Sequence, residues 1–466
     1  MNRLPPELIV LCATFVSCTD PGPIVTLTHV CRYWRRSIAS SHGNWTSIGS
    51  TWKRLVPLCL ERAGVAPLAV KISGPDIRGD EGFLQALLPH VSRISDLSLT
   101  GYSSKKGVLD ELPGFFASPM PHLTSLELKQ TKQPAELFPP DETTTPPIFQ
   151  NVSKFKSLHL TLIPLYPTLF NIPSLVELEL VDYTIPFGKF IGFLESNIDL
   201  ETITLRLDFV KGSVITAPER MVSLPRLRHL ALTFGEENGI GARGLFSCLS
   251  LPRSVRVELH VEPEPDSDAD IFLASFLPHP PTPVHDLLAR VTTIKYQVDP
   301  RELHLSGNVG SFSFHTPITS EEIYDEFSLF STSAVREFHV RPDGWFDHEN
   351  LVGDLPQALE RLPMLEVLAL SRASLLPGSL SALSTEPLLC KSLNTIAFLD
   401  CQVTQDVITE LEEIATKREH STLARLHRVV IVNDSYELPD TNSIKKLRRL
   451  VPRVDAMVGD ELPDLL

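Results

Sequence analysis

The sequence predicts an α/β chain in which a leader of three short helices precedes an irregular array of coils, with their strands aligned as a parallel sheet on a concave face. Three observations predict it. Residues 8–16 form an apolar run in which Thr14 is the sole polar side chain. Two further helical patterns follow before Trp45. From residue 94 onward a six-residue motif, Leu-x-x-Leu-x-Leu with other large apolar residues allowed, recurs almost to the end of the chain.

The first element is carried by "LPPELIVLCATFV", residues 4–16. Leu8, Leu11, Cys12 and Phe15 recur at helical spacing on one face, and Ile9, Ala13 and Val16 line the adjacent one. Pro6 suits the first helical turn, where a missing N–H costs nothing, and Glu7 suits the positive end of the helix. A surface helix packed on one neighbour needs one apolar stripe, so two stripes predict a helix buried on both sides.

A bilayer, the chain's own core or another protein could supply that cover. Arg3 ahead of a short apolar run faintly resembles a secretory signal, but two prolines and Glu7 stand where charge should lead into the apolar segment. The run is also far below the roughly 20 residues a membrane span requires, and no later stretch reaches that length. No membrane partner is expected. Glycosylation-type triplets at Asn44, Asn151 and Asn433 are compatible with secretion but arise easily by chance. The cysteines, Cys12, Cys18, Cys31, Cys59, Cys248, Cys390 and Cys401, are odd in number and show no CxxC or disulfide-like spacing, which points to a reduced cytoplasmic or nuclear compartment.

After the turn at Asp20 to Pro23, a second helix begins with Ile24 and Leu27. In the third, Val30, Trp34 and Ile38 recur every four residues, with Arg32, Arg35 and Arg36 on the wet side. Three helices in so few residues bury too little to be stable alone, so they need a partner or the following domain.

"LPPELI", "VCRYWRRSI" and the closing Trp45 together resemble an F-box, over about the first tenth of the chain. The resemblance implies a Skp1-type adaptor, and through it a cullin ubiquitin ligase, as the partner of this surface. Leu4, Pro5, Leu8, Ile9, Val30, Cys31 and Trp34 are the contact residues it implies. Little chain precedes Leu4, so the contacts a preceding segment would add are expected to be missing. The rival reading makes the leader a cap that merely seals the core behind it, and the chain an interaction scaffold without a ligase.

Residues 52–72, "WKRLVPLCLERAGVAPLAVKI", are similar to a segment common in fungal F-box proteins, a helix ending near "ERAG" followed by a "PLxVxI" strand. Trp52, Leu55, Leu58 and Cys59 give the helical stripe, Gly64 ends it, and Leu68, Val70 and Ile72 alternate as a strand should.

The motif then begins at residues 94, 123, 155, 175, 200, 227, 291, 335, 365, 393 and 426. Its spacing lies in or near the leucine-rich-repeat range of ~20–29 residues, with longer steps where loops are inserted. In such a repeat the first apolar residue enters the core and the next two point inward from a short strand, each coil stacking on its neighbours. Where the repeat usually carries Asn or Cys, Cys401 fits, whereas Tyr102, Thr131, Tyr183 and Ala373 do not, so an irregular solenoid is expected. The domains expected are therefore an F-box over 1–48, a linking helix and first strand over 49–90, and a degenerate solenoid over 91–466.

Proline- and acid-rich stretches near 133–147 and 262–285 are predicted loops. Asp266, Asp268 and Asp270 are spaced like the start of a calcium loop, but Ile271 and Leu277 replace its glycine and its bidentate glutamate, so no metal is expected. "KKLRRLVPR", residues 445–453, reads as the solvated face of a helix whose Ile444, Leu447 and Val451 face inward, with an import or acidic-partner patch as the alternative. The net charge of −15 opposes a nucleic-acid partner. GxSxG, HExxH, a phosphate-binding glycine loop and zinc-spaced Cys/His pairs are all missing from the sequence, so neither catalysis nor a cofactor is expected, and His159 is read as a surface residue. The expected function is a non-catalytic substrate receptor holding an unidentified target protein near a ligase.

Overall fold

Two apolar ladders running across consecutive strands organise the computed structural model of this chain. It describes residues 4–17, 22–73, 81–103, 115, 118–132, 154–162, 172, 174–209, 221–235, 239–262, 273–278, 283–297, 301–307, 310–316, 327–329, 331–341, 348–372, 375, 378, 380–385, 389–421, 424–433 and 440–458. The fold is α/β with a large, mostly parallel sheet, divided between two units: Met1–Val214 with Val222–Leu227, and Ile215–Met221 with Arg228–Leu466.

In the first unit, β1 (Ser47–Gly49), β2 (Leu68–Ser73), β3 (Ile94–Ser103), β4 (Ser125–Lys132), β5 (Ser157–Thr161), β6 (Glu177–Ile185) and β7 (Thr202–Phe209) pair parallel in chain order. One ladder runs Ile48, Val70, Leu97, Leu126, Leu158, Leu178 and Ile203, and the other Ile72, Leu99, Leu128, Leu160, Leu180 and Leu205. All of these are buried, as are the first-position residues Ile94, Leu123, Phe155, Leu175 and Leu200. Each strand is too short to bury its own side chains, so neighbours in register exclude water from one another. Helix Phe187–Ser196 covers part of this core with Phe187, Phe190, Phe193 and Leu194.

The second unit contains β8 (His229–Gly235), β9 (Arg256–Glu262), β10 (Val291–Gln297), β11 (Arg301–Gly307), β12 (Ser311–Thr316), β13 (Glu337–Arg341), β14 (Val367–Ser371), β15 (Thr395–Leu399), β16 (Arg428–Asn433) and β17 (Arg453–Val458). Its spatial order is β8, β9, β12, β11, β10, β13, β14, β15, β16, β17. All these pairs are parallel except those made by β11, which runs antiparallel to both β10 and β12. Its ladder, Leu230, Val257, Phe312, Leu305, Ile294, Phe338, Leu368, Ile396, Val429 and Val454, continues unbroken through the reversal.

The backbone repeats a local feature as well. Gly101, Leu162, Asp182, Arg372 and Asp400 all have positive φ, and they stand two residues after the buried Leu99, Leu160, Leu180, Leu370 and Phe398. At Leu162, Arg372 and Asp400 the chain leaves the strand through the left-handed region and their N–H groups bond to the carbonyls of Val181, Leu399 and Val432 on the next strand, whereas Gly101 and Asp182 sit at register shifts inside β3 and β6. Cys401 is buried and donates from Sγ to the Leu370 carbonyl at 3.1 Å, serving as a side-chain partner for buried turn backbone.

Several expectations are corrected. The stretch near 262–285 is not all loop: β9 ends at Glu262, Leu273, Phe276 and Leu277 are buried, and Pro283–Leu288 is helical. Asp266, Asp268, Asp270 and the 133–147 stretch lie outside the described residues. Strand β9 escaped the motif because Ser254 occupies its first position, and β11 because Pro300 does; β12 fits the motif through Val309, Phe312 and Phe314, a repeat the sequence reading missed. Asn44 is fully buried, which is incompatible with a glycosylated surface site in the folded chain. The basic cluster does lie on a helix, Thr441–Leu450, with Ile444, Leu447 and Val451 buried and Lys446 contacting Glu412.

Candidate docking surface

Helix α1 (Pro6–Ser17) starts as its sequence dictates, with the Pro5 carbonyl accepting from the N–H groups of Leu8 and Ile9. Helices α2 (Gly22–Thr28) and α3 (Arg32–Ala39) pack against it and against each other. The core of this bundle is Ile9, Ala13, Ile24 and Ile38, closed below by Trp45 and Ile48, all buried. Polar bonds fix how the pieces meet. Thr14 donates to Asn44 Oδ1 at 2.7 Å, Tyr33 donates to the Leu4 carbonyl at 3.1 Å, and Arg35 Nε donates to the Thr28 carbonyl at 2.9 Å. The Trp45 indole donates to the Ile38 carbonyl at 3.1 Å, and the Arg62 guanidinium lies 4.3 Å over its ring. That cation, on α4 (Val56–Ala63), ties the bundle to the first strands.

Of the two apolar stripes of α1, one is sealed at Ile9 and Ala13 and open at Val16, and the other is open throughout. Ile9 and Ala13 are 0% exposed, while Leu4, Leu8, Leu11 and Phe15 are 46, 45, 63 and 82% exposed at steps of four, three and four residues. Val16 and Cys12 are exposed beside them. The prediction of a helix buried on both sides is therefore corrected for the isolated chain, because the bundle supplies cover for one side only.

The residues implied by the resemblance divide accordingly. Leu4, Pro5, Leu8 and Val30 are exposed, and Cys31 and Trp34 are half-buried. Ile9 is a core residue with no surface to offer a partner, a correction that follows from its place on the sealed stripe. Val30 does not begin the third helix; it stands in the turn before it, and α3 starts at Arg32 with Cys31 as its N-cap. Leu11 and Phe15 were visible as a stripe but were not among the implied contacts, and they are the most exposed apolar side chains of α1.

The strand face opposite the ladders is polar in the first unit. His159 is not a bare surface residue: its Nδ1 lies 2.6 Å from Glu179 Oε2 and its Nε2 lies 2.6 Å from Ser157 Oγ. Ser157 also donates to Glu177 at 3.0 Å, Ser98 donates to Glu127 at 2.6 Å, and Lys129 pairs with Glu127 at 3.0 Å. Burial raises the Glu127 pKa, but the Ser98 hydroxyl and Lys129 ammonium outweigh it and hold the carboxyl below its ordinary range.

Among the described residues, no helix is long and apolar enough to cross a membrane, and no group of His, Cys, Asp or Glu is arranged to hold a metal ion. No family model and no curated protein matches this chain. Among solved structures, it is similar to the crystal structure of a TLR13–ssRNA13 complex, at 13% identity and a TM-score of 0.32. That match covers 84% of this chain and 50% of that one, so the chain spans about half the length of its neighbour, and the likeness is too slight to bear on function.

Proposed function

We propose that this chain is a non-catalytic substrate-recognition subunit of an SCF-type (Skp1–cullin–F-box) ubiquitin ligase, working in the cytoplasm or nucleus. The leader acts as the F-box and docks the Skp1-type adaptor, and the strand array behind it acts as a leucine-rich-repeat solenoid that holds a target protein. The observation that carries this reading is the exposed stripe of Leu4, Leu8, Leu11 and Phe15 beside the buried Ile9 and Ala13 of the same helix. An apolar row of that length on a small bundle gains free energy only when a foreign surface covers it. The F-box-like residues around it name the class of partner. The chain's contribution to catalysis is then proximity: it raises the local concentration of target lysines near the charged enzyme without supplying a reactive group.

A pull-down with purified Skp1-type adaptor tests this. The full chain is expected to bind, and Leu8→Asp combined with Leu11→Asp is expected not to, because two carboxylates cannot be desolvated against an apolar partner. Both positions are exposed, so unchanged circular dichroism identifies a folded variant. Equal binding by both forms, or by neither, overturns the ligase reading and leaves a leucine-rich-repeat scaffold whose leader is a cap.

A further inference from the structure

The exposed stripe at α1 has a symmetry that docking of an adaptor does not require. Leu4, Leu8, Leu11 and Phe15 are all exposed and follow one another at steps of four, three and four residues, an order that reads the same from either end. Alternating steps of four and three make the narrow seam along which two helices pack knobs into holes. Leu4 stands ahead of the helix and is tied to the bundle by Tyr33, whose hydroxyl donates to its carbonyl at 3.1 Å.

A palindromic seam can close on a copy of itself. A two-fold dimer requires reciprocal contacts, in which one residue meets a second on the partner and the second meets the first in return. With the axis crossing α1 between Ile9 and Val10, an antiparallel copy sets Leu8 opposite Leu11 in both central layers and Leu4 opposite Phe15 in both outer ones. The bulky ring thus meets the smaller aliphatic end at each side.

Charge and area fit the same occupant. Glu7, in the first turn, is the sole charged residue of α1, and the exposed Cys12, Thr14 and Val16 beside the seam carry no charge, so the net charge of −15 places no like charges along it. Together with Val16, the four stripe residues offer on the order of 500 Å² of apolar surface per copy. Two copies then bury about 1,000 Å², the least that a specific interface needs. We propose that the adaptor-free chain pairs with a second copy through α1, antiparallel, and that this pairing occupies the docking stripe until the adaptor displaces it. The displacement rests on the ligase reading above, and the pairing does not. Each copy has one such stripe, so the two complexes compete for the same side chains.

Size-exclusion chromatography with light scattering on the full chain, over a concentration series without adaptor, tests the pairing. The mass is expected to rise from monomer to dimer and level off there, with a dissociation constant on the order of 10 µM, since so small an interface supports only a weak complex. Leu11→Asp and, separately, Phe15→Asp should stay monomeric throughout; both positions are exposed, and unchanged circular dichroism identifies folded variants. The register is read in a Cys12→Ser background: an oxidised mixture of Leu8→Cys and Leu11→Cys chains should cross-link, and neither chain alone should. A wild type that stays monomeric, a mass that climbs past the dimer, a dimer that survives both aspartates, or cross-linking by each cysteine variant alone overturns the proposal. Added Skp1-type adaptor should convert the dimer to a one-to-one complex, and a dimer that persists with adaptor bound overturns the displacement. If the chain dimerises as described but binds no adaptor, the ligase reading falls and the pairing stands.

Discussion

Ile9 and Leu11 are two residues apart on one helix, yet alanine at each should fail in opposite ways. Ile9 is 0% exposed in the bundle, so Ile9→Ala deletes buried methylenes and leaves a cavity, costing ~2–5 kcal/mol of stability. Leu11 is 63% exposed, so Leu11→Ala should leave stability within about 0.5 kcal/mol. For the proposed binding to the adaptor the order should reverse. Complete burial of a leucine side chain contributes ~1.5–3 kcal/mol, and with nearly two thirds of its surface still free Leu11 has about 1–2 kcal/mol left to gain. That corresponds to roughly a 5- to 30-fold weaker complex for Leu11→Ala. Phe15, the most exposed of the stripe, should lose at least as much. Thermal unfolding followed by circular dichroism gives the first quantity, and calorimetric titration with purified adaptor gives the second. If Leu11→Ala destabilises the chain as much as Ile9→Ala, Leu11 is packed into the bundle and the reasoning is wrong. If Leu11→Ala folds normally and binds the adaptor undiminished, the docking surface lies elsewhere.

Three further predictions follow from side chains in the interior. Arg418 is fully buried and donates to the carbonyls of Leu389, Cys390 and Leu393 at 2.8, 3.0 and 3.1 Å; Arg418→Met keeps the bulk but strands those acceptors, and should cost ~3–5 kcal/mol in denaturant unfolding, with a loss under about 1 kcal/mol refuting the role. Burial pushes the thiols of Cys59 and Cys248 up to about 11 and that of Cys390 up to about 12, whereas Cys12 is exposed beside the proposed docking stripe. Iodoacetamide near neutral pH should therefore modify Cys12 first and reach the other three only in denaturant, and bound adaptor should protect Cys12; mass spectrometry showing Cys390 modified in the folded chain would contradict this. Burial lowers the His339 pKa, with Lys295 adding to the effect and Glu337 opposing it. The folded state then binds this proton less readily than the unfolded one, so the stability it contributes is complete above about pH 6.5 and is lost as pH falls below that value. His339→Gln should flatten the stability slope in that window, and an identical slope in both proteins would assign it to other groups.

Much of the fold was legible because burial in this architecture follows spacing. Wherever the side chains are described, the first apolar residue of a motif and the two that follow at plus three and plus five are core residues, and a strand that points every second side chain inward imposes that rhythm regardless of which neighbour it meets. Gly64 could likewise be read as a helix stop, and it adopts φ +58 at the end of α4. The antiparallel β11 was not legible, since reversal of a strand leaves its period of two unchanged. Nor were the left-handed turns at Leu162 and Arg372, where nothing in the side chain signals positive φ. His159 looked isolated because its partners Glu177 and Glu179 are brought to it from the next strand by register alone.

At the leader, the sequence by itself determined that α1 carries two apolar stripes, because amino-acid type and helical period suffice for that. Only the tertiary structure decided that Ile9 and Ala13 meet α2 and α3 while Leu8, Leu11 and Phe15 face outward. The physical reason is that hydrophobicity has no direction: a run of leucines specifies that water must be excluded, and the packing geometry of the neighbouring helices selects which side their own chain can cover.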